Sequence, residues 1–133
     1  MSWYKRVFCH FINFIYKWLP IVCGCHCRSD RSFFFRGYQF PICARCTGEV
    51  IGVSAGIIFF IFCRLSVPVL VCMLVPALID GVVQMKTDYE SNNIRRLWTG
   101  ILLGFGTVNL MLQSFLFAFR FGEGIGMQLK GMR

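Results

Sequence analysis

Three apolar runs constrain this chain more than any other feature. Thr47–Cys63, Leu65–Met85 and Leu97–Phe119 each approach or reach the roughly 17–25 helical residues that a hydrocarbon core demands. Their polar exceptions are few: Glu49 near the start of the first, Asp80 and Gln84 near the end of the second, Asn109 and Gln113 inside the third. Only Arg64, Ser66 and Pro68 punctuate the first connection, which predicts a tight helical hairpin with Pro68 at a helix start that tolerates it. Composition agrees. Hydrophobic residues make up 56% of the 133 residues, charged residues 15%, and the mean hydropathy is +0.62, whereas soluble domains carry about 25% charge. Disorder, collagen-like repeats and coiled coil are excluded. The expectation is an all-α integral membrane bundle forming one domain over 1–133, multi-pass in the cell membrane.

The segment Val7–Cys23 is different. Arg6, His10, Asn13 and Lys17 are spaced by four, three and four residues, which sets them on one helical stripe. Phe8, Phe11, Ile12, Ile15, Trp18 and Leu19 supply the apolar remainder. Residues 1–23 therefore read as an amphipathic helix lying in the interface, with a fourth transmembrane helix as the alternative. A signal peptide is disfavoured, because His10 and Asn13 interrupt its apolar region and no Ala-x-Ala site follows. The remaining segments are a Cys/His loop at 24–46, spans at 47–63, 65–85 and 97–119, and a tail at 120–133.

Of eight cysteines, Cys63 and Cys72 lie in apolar helices and, with Cys9, read as small buried hydrophobes. Cys23, Cys25, Cys27, Cys43 and Cys46 flank a loop rich in Arg and Phe. Cys43-Ala-Arg-Cys46 is a C-x-x-C, whose two thiolates can grip one tetrahedral metal from a single turn. Cys25 and His26 precede Cys43 by 18 and 17 residues, a spacing seen in zinc sites. Cys23 or Cys27 is an alternative ligand, and dithiol–disulfide chemistry or plain packing are alternative roles. Arg45 inside the motif is expected to lower thiolate pKa values, which favours metal binding and redox attack alike.

These residues carry a resemblance. Cys25-His26, Arg31-Ser32-Phe33-Phe34, Gly37, Gln39-Phe40-Pro41 and Cys43-Ala44-Arg45-Cys46-Thr47-Gly48, followed by Asp80-Gly81, Gln84, Glu90-Ser91-Asn92-Asn93, Arg95-Arg96 and Thr99-Gly100, resemble a family of small bacterial and archaeal membrane proteins catalogued as a domain of unknown function. The resemblance covers about residues 23–106. It implies a polytopic membrane fold and transfers no activity. Cys23 and Cys27 fall outside its pattern, so it favours Cys25, His26, Cys43 and Cys46 as the metal ligands.

A second polar group sits at membrane depth. Asp80 and Gln84 share a helix face, and Asn92, Arg95 or Arg96, and Thr99 recur at one-turn spacings. Ser91 is the expected N-cap and Glu90 suits the positive end of the helix dipole. An Asp80–Arg96 ion pair is expected. Glycines repeat every fourth residue at Gly48, Gly52 and Gly56, and again at Gly100 and Gly104, as at close helix contacts in lipid. They are also surfaces for a homo-oligomer.

The leading expectation is a site-bearing membrane protein whose loop folds around one zinc, beside an Asp/Glu/Arg cluster at the interface. An enzyme acting on an anionic lipid-like substrate is the first alternative, with Asp80 and Glu90 as acid/base candidates and Arg96 (or Arg95) holding the anion. A thiol–disulfide redox protein is the second, although no thioredoxin-like pattern surrounds the C-x-x-C. Walker, G-x-S-x-G, H-E-x-x-H and C-x-x-C-H motifs are all missing from the sequence. No substrate is named by any residue pattern.

Lys and Arg number 14 against 6 Asp and Glu, a net charge of +8. These charges fall between apolar runs, where membrane topology accounts for them better than nucleic acid does. With the first helix flat, one side receives ten basic residues (Lys5, Arg6, Lys17, Arg28, Arg31, Arg36, Arg45, Lys86, Arg95, Arg96) and the other four (Arg64, Arg120, Lys130, Arg133). The richer side, which holds the Cys/His loop, is expected in the cytoplasm. Single cysteines at positions 88 and 125 test this with a membrane-impermeant maleimide. In intact cells 125 should label and 88 should not.

Overall fold

The computed structural model describes residues 3–87 and 89–131. Met1, Ser2, Asp88, Met132 and Arg133 lie outside the described residues, and with them the ends of the expected 1–23 and 120–133 segments. Four helices and one hairpin follow in order: α1 (Trp3–Val22), β1 (Ser32–Phe35), β2 (Tyr38–Cys43), α2 (Ala44–Phe62), α3 (Val67–Lys86) and α4 (Asn93–Gly131). Ala44–Phe62, Val67–Lys86 and Asn93–Gln128 are long and apolar enough to cross a membrane. The fold is an all-α membrane bundle with three candidate spans, and α1 is not among them. Pro68 falls in the first turn of α3, where its missing N–H breaks no helical bond.

Helix α4 organises the bundle. It packs along both α2 and α3, whereas α2 and α3, though joined by four residues, make little contact with each other. Its contact with α2 is a mutual glycine interlock. A methyl group on Gly48 would overlap the carbonyl of Leu97, and one on Gly52 the carbonyl of Ile101. Reciprocally, Gly100 lies on the carbonyl of Arg45 and Gly104 on that of Glu49. The paired numbers rise together, so α2 and α4 run parallel with backbones nearly touching, as small-residue stripes permit in lipid. The stripes expected to serve a second copy are thus covered within the chain.

Two internal amides complete the packing. Asn109 is fully buried and donates to the carbonyls of Phe105 (2.9 Å) and Gly56 (3.4 Å). Gln113 donates to the carbonyl of Leu65 (2.9 Å), tying the α2–α3 connection to α4.

Several expectations change. The segment 24–46 is not an irregular loop: it contains an antiparallel hairpin turning at Arg36–Gly37, both at positive φ (51° and 83°). That conformation belongs to a two-residue type I′ turn, for which Gly37 is suited. The pairing shifts between Phe34↔Gln39 and Ser32↔Cys43, next to Pro41, which has no N–H to give to a ladder. The tail 120–133 is not separate either. Helix α4 runs unbroken for 39 residues, about 58 Å at 1.5 Å per residue, nearly twice a hydrocarbon core of about 30 Å. No proline stops it. Cys9, Cys63 and Cys72 are exposed rather than buried.

Helix α1 stands off from the bundle and touches mainly β2. Tyr16 donates to the carbonyl of Gln39 (2.8 Å), and an apolar groove of about 830 Å³ separates α1 from β2 and α2.

The interlock yields a measurable contrast. Gly104→Ala should destabilise the protein by about 2 kcal/mol, within the range for overpacked sites. Gly124→Ala, where nothing lies within 4 Å, should be neutral or gain up to about 1 kcal/mol from helix propensity. Thermal unfolding in detergent micelles reads both.

Candidate metal centre

Cys43 closes β2 and caps α2, with extended backbone angles (φ −68°, ψ 164°). Cys46 follows within the first turn, so both sulfurs sit at the N-terminal end of α2. Thr47 Oγ1 donates back to the carbonyl of Cys43 (3.0 Å) and steadies that turn.

The chain returns to this point from far away. Cys25 lies between α1 and the hairpin, and the backbone N–H of Cys43 donates to its Sγ at 3.1 Å. The sulfurs of Cys25, Cys43 and Cys46 lie within 4.8 Å of one another, and all eight cysteines carry free thiols. Burial opposes the Cys25 thiolate, but hydrogen bonds with the backbone of Cys43 and Cys27 and with the neighbouring thiols outweigh it and hold the group below its ordinary pKa. Such N–H···S contacts are the outer-shell support that metal-bound thiolates use.

The other candidates are placed differently. His26 is exposed and its ring nitrogens are not in the three-sulfur group. Burial, followed by the negative charge of Cys25, pushes the Cys27 thiol up. Cys27 donates to the carbonyl of Pro41 (3.1 Å). Burial and then Glu49 raise the Cys23 thiol. The hairpin holding these groups is tied down by Gln39, which donates to the carbonyl of Cys27 (2.9 Å) and to Ser32 Oγ (3.2 Å). Asn93 of α4 also donates to the carbonyl of Ser32 (3.4 Å).

Beside the sulfurs lies the polar cluster, with a pairing the spacing did not anticipate. Asp80 is bound by Arg45, not Arg96. The guanidinium of Arg45, from the first turn of α2, is paired with this carboxylate of α3. Gln84 donates to the same carboxylate oxygen (2.8 Å), and so does Ser91 Oγ (3.5 Å). Arg96 reaches the cluster indirectly, donating Nε–H to Ser91 Oγ (3.0 Å). Ser91 is therefore a hub between Asp80 and Arg96 and not the N-cap. Asn92 takes the cap position, its carbonyl accepting the N–H of Arg96 (3.0 Å). Glu90 pairs with Arg31 (3.2 Å) at the edge of a polar cavity of about 560 Å³ that Arg45 also lines. The sequence candidates Asp80, Glu90 and Arg96 lie around this cluster, which also takes in Arg31. No local signal links Arg31 to residue 90, since the hairpin that delivers it was not foreseen.

This set of residues coincides with a family assignment. The family model described as Predicted membrane protein (DUF2085) matches residues 25–110. The chain belongs to that family. The matched region starts at Cys25 and includes the three gathered sulfurs, the hairpin, the polar cluster and most of the α2–α4 contact, while α1 and the far end of α4 lie outside it. An uncharacterised protein of Methanothermobacter thermautotrophicus is 36% identical over 90 residues, covering 62% of this chain and 78% of its own. An uncharacterised protein of Methanocaldococcus jannaschii is 36% identical over 98 residues, covering 68% of this chain and 63% of its own. No solved structure matches the chain. The family description is that of a membrane protein, and the three gathered sulfurs of this chain could hold a metal ion.

The Asp80 cluster sets a stability expectation. The Asp80 side chain is 3% exposed and that of Arg45 31%. Removing one partner of a fully buried pair costs about 3–5 kcal/mol, and water access to Arg45 reduces that. Asp80→Ala should therefore cost about 2 kcal/mol, read by thermal unfolding in detergent. Asp80→Asn, which keeps an acceptor oxygen, should cost less.

Proposed function

We propose that Cys25, Cys43 and Cys46 bind one zinc ion at the membrane interface, with His26 as the fourth ligand, and that this site staples residues 24–47 to the start of α2. The observation that carries the reading is the convergence of three free thiols, one of them 18 residues from the C-x-x-C, to within 4.8 Å. A hairpin of ten strand residues is too small to hold itself in place through its own core, and metal binding would contribute folding free energy directly. Thiolate-rich tetrahedral sites favour zinc. The ten-to-four distribution of basic residues supports a cytoplasmic position for the site, where thiols stay reduced and metal is favoured over a disulfide.

Two alternatives separate cleanly from this. A catalytic metal would keep an open position for water near an acid or base. Asp80 is absent from the sulfur group and already engaged by Arg45, Gln84 and Ser91, which supports a structural site over a catalytic one. A redox dithiol would form a reversible Cys43–Cys46 disulfide under oxidant.

Elemental analysis of detergent-purified protein should find about one zinc per chain, and the Cys43→Ser, Cys46→Ser double variant should lose it. His26→Ala should weaken zinc retention against a chelator. Unchanged retention would remove His26 from the site and leave three thiolates with an open position. Metal-free protein with an intact fold would end the zinc reading. Thiol protection from alkylation that is lost only on chelation supports metal, and protection lost on reduction supports the disulfide.

A further inference from the structure

Three arginines from three separate elements meet at the polar cavity. Arg31 arrives at the base of the hairpin, Arg45 in the first turn of α2, and Arg96 in the first turn of α4. Arg31 and Arg45 line the cavity, while Arg96 is buried outside its lining and is joined to it through Ser91, whose hydroxyl accepts from both Arg96 and the lining residue Gln84. Three carboxylates answer them. Asp80 takes Nη2 of Arg45, Glu90 takes Nη2 of Arg31, and Asp30, itself bound by Arg28, lies 3.7 Å from Nε of Arg31, beyond hydrogen-bonding range.

The donors left over are more informative than the charge. Nε of Arg31, Nε of Arg45 and Nη2 of Arg96 are buried and have no acceptor in the protein. Buried guanidinium N–H groups are normally satisfied. Here unmatched donors belong to both arginines that line the cavity and to Arg96 next to it, which fits an anion with several oxygens as the acceptor. A planar carboxylate has two oxygens, suited to a single guanidinium fork; a tetrahedral phosphoryl group has more and can accept from several guanidiniums at once. The Arg31–Glu90 pair at the rim is 36% and 66% exposed, so Arg31 can exchange that carboxylate for a ligand. Tyr89 lines the same rim, and its hydroxyl accepts from Arg95 (3.0 Å), adding a fourth cation just outside. The cavity lies where α3 ends and α2 and α4 begin, at the level at which apolar runs give way to headgroups.

We propose that this cavity binds a phosphate group, held by Arg31 and Arg45 with the buried Arg96 adding positive charge nearby, either as a free phosphate or as the phosphate of an anionic lipid headgroup. The site is independent of the zinc reading, and metal content measured on the same preparations keeps the two apart.

The test uses full-length protein with inorganic phosphate as one probe and nanodiscs of phosphatidylglycerol, against phosphatidylcholine, as the other. Binding is read by ligand-induced thermal stabilisation and by lipid retention in native mass spectrometry. Arg31→Gln, at the accessible rim, should weaken binding by about tenfold, the effect of losing one charge-assisted contact. Arg64→Gln, at the opposite end of the spans, should not. Glu90→Gln frees Arg31 from its carboxylate and should tighten binding several-fold, a gain that misfolding cannot mimic. Saturable stabilisation by phosphate with this variant pattern assigns a free-phosphate site. The same pattern with phosphatidylglycerol alone assigns a headgroup site. If neither probe responds to Arg31→Gln and Glu90→Gln in these opposite directions, the proposal is wrong.

Discussion

The near-contact of two helix backbones at Gly48, Gly52, Gly100 and Gly104 is the constraint on which the remaining structure depends. Lipid supplies no hydrophobic drive to press helices together, so close van der Waals packing has to do it. Because the contact is parallel and in fixed register, it aligns the beginnings of α2 and α4. Those beginnings carry Arg45, Cys43 and Cys46 on one helix and Arg96 and Thr99 on the other. The polar chemistry at the membrane surface is thus set by an apolar contact several residues deeper.

From that alignment the rest follows by charge and reach. Arg45, fixed over α3, meets Asp80 one helix away, and Ser91 in the α3–α4 connection bridges Asp80 to Arg96. The hairpin then closes over the cluster, bringing Arg31 to Glu90 and Ser32 to Asn93. The same closure returns Cys25 to the C-x-x-C. The three-sulfur group and the arginine cavity are therefore neighbours, with Arg45 standing inside the C-x-x-C and lining the cavity.

Much of this was legible from residue order alone. Apolar length predicted three candidate spans, and three are found, since hydrocarbon thickness leaves little choice. Pro68 and the glycine stripes read correctly as a helix start and a close-packing surface. The hairpin was missed because Phe33-Phe34-Phe35 does not alternate in polarity, and Arg36-Gly37 is a weaker turn signal than Asn-Gly. The extent of α4 was missed because hydropathy falls after Phe119, although nothing there breaks a helix.

Sequence by itself determined the class: a multi-pass membrane protein, three spans, a cysteine-bearing segment and an Asp80–Gln84 face, because these depend on local length, period and spacing. Only the tertiary structure decided who meets whom. Arg45 and not Arg96 holds Asp80, the glycine stripes face each other within one chain, and Arg31 joins Glu90 across 59 residues. Such choices depend on helix register and hairpin placement, which arise from packing between distant segments and leave no periodic trace in the chain.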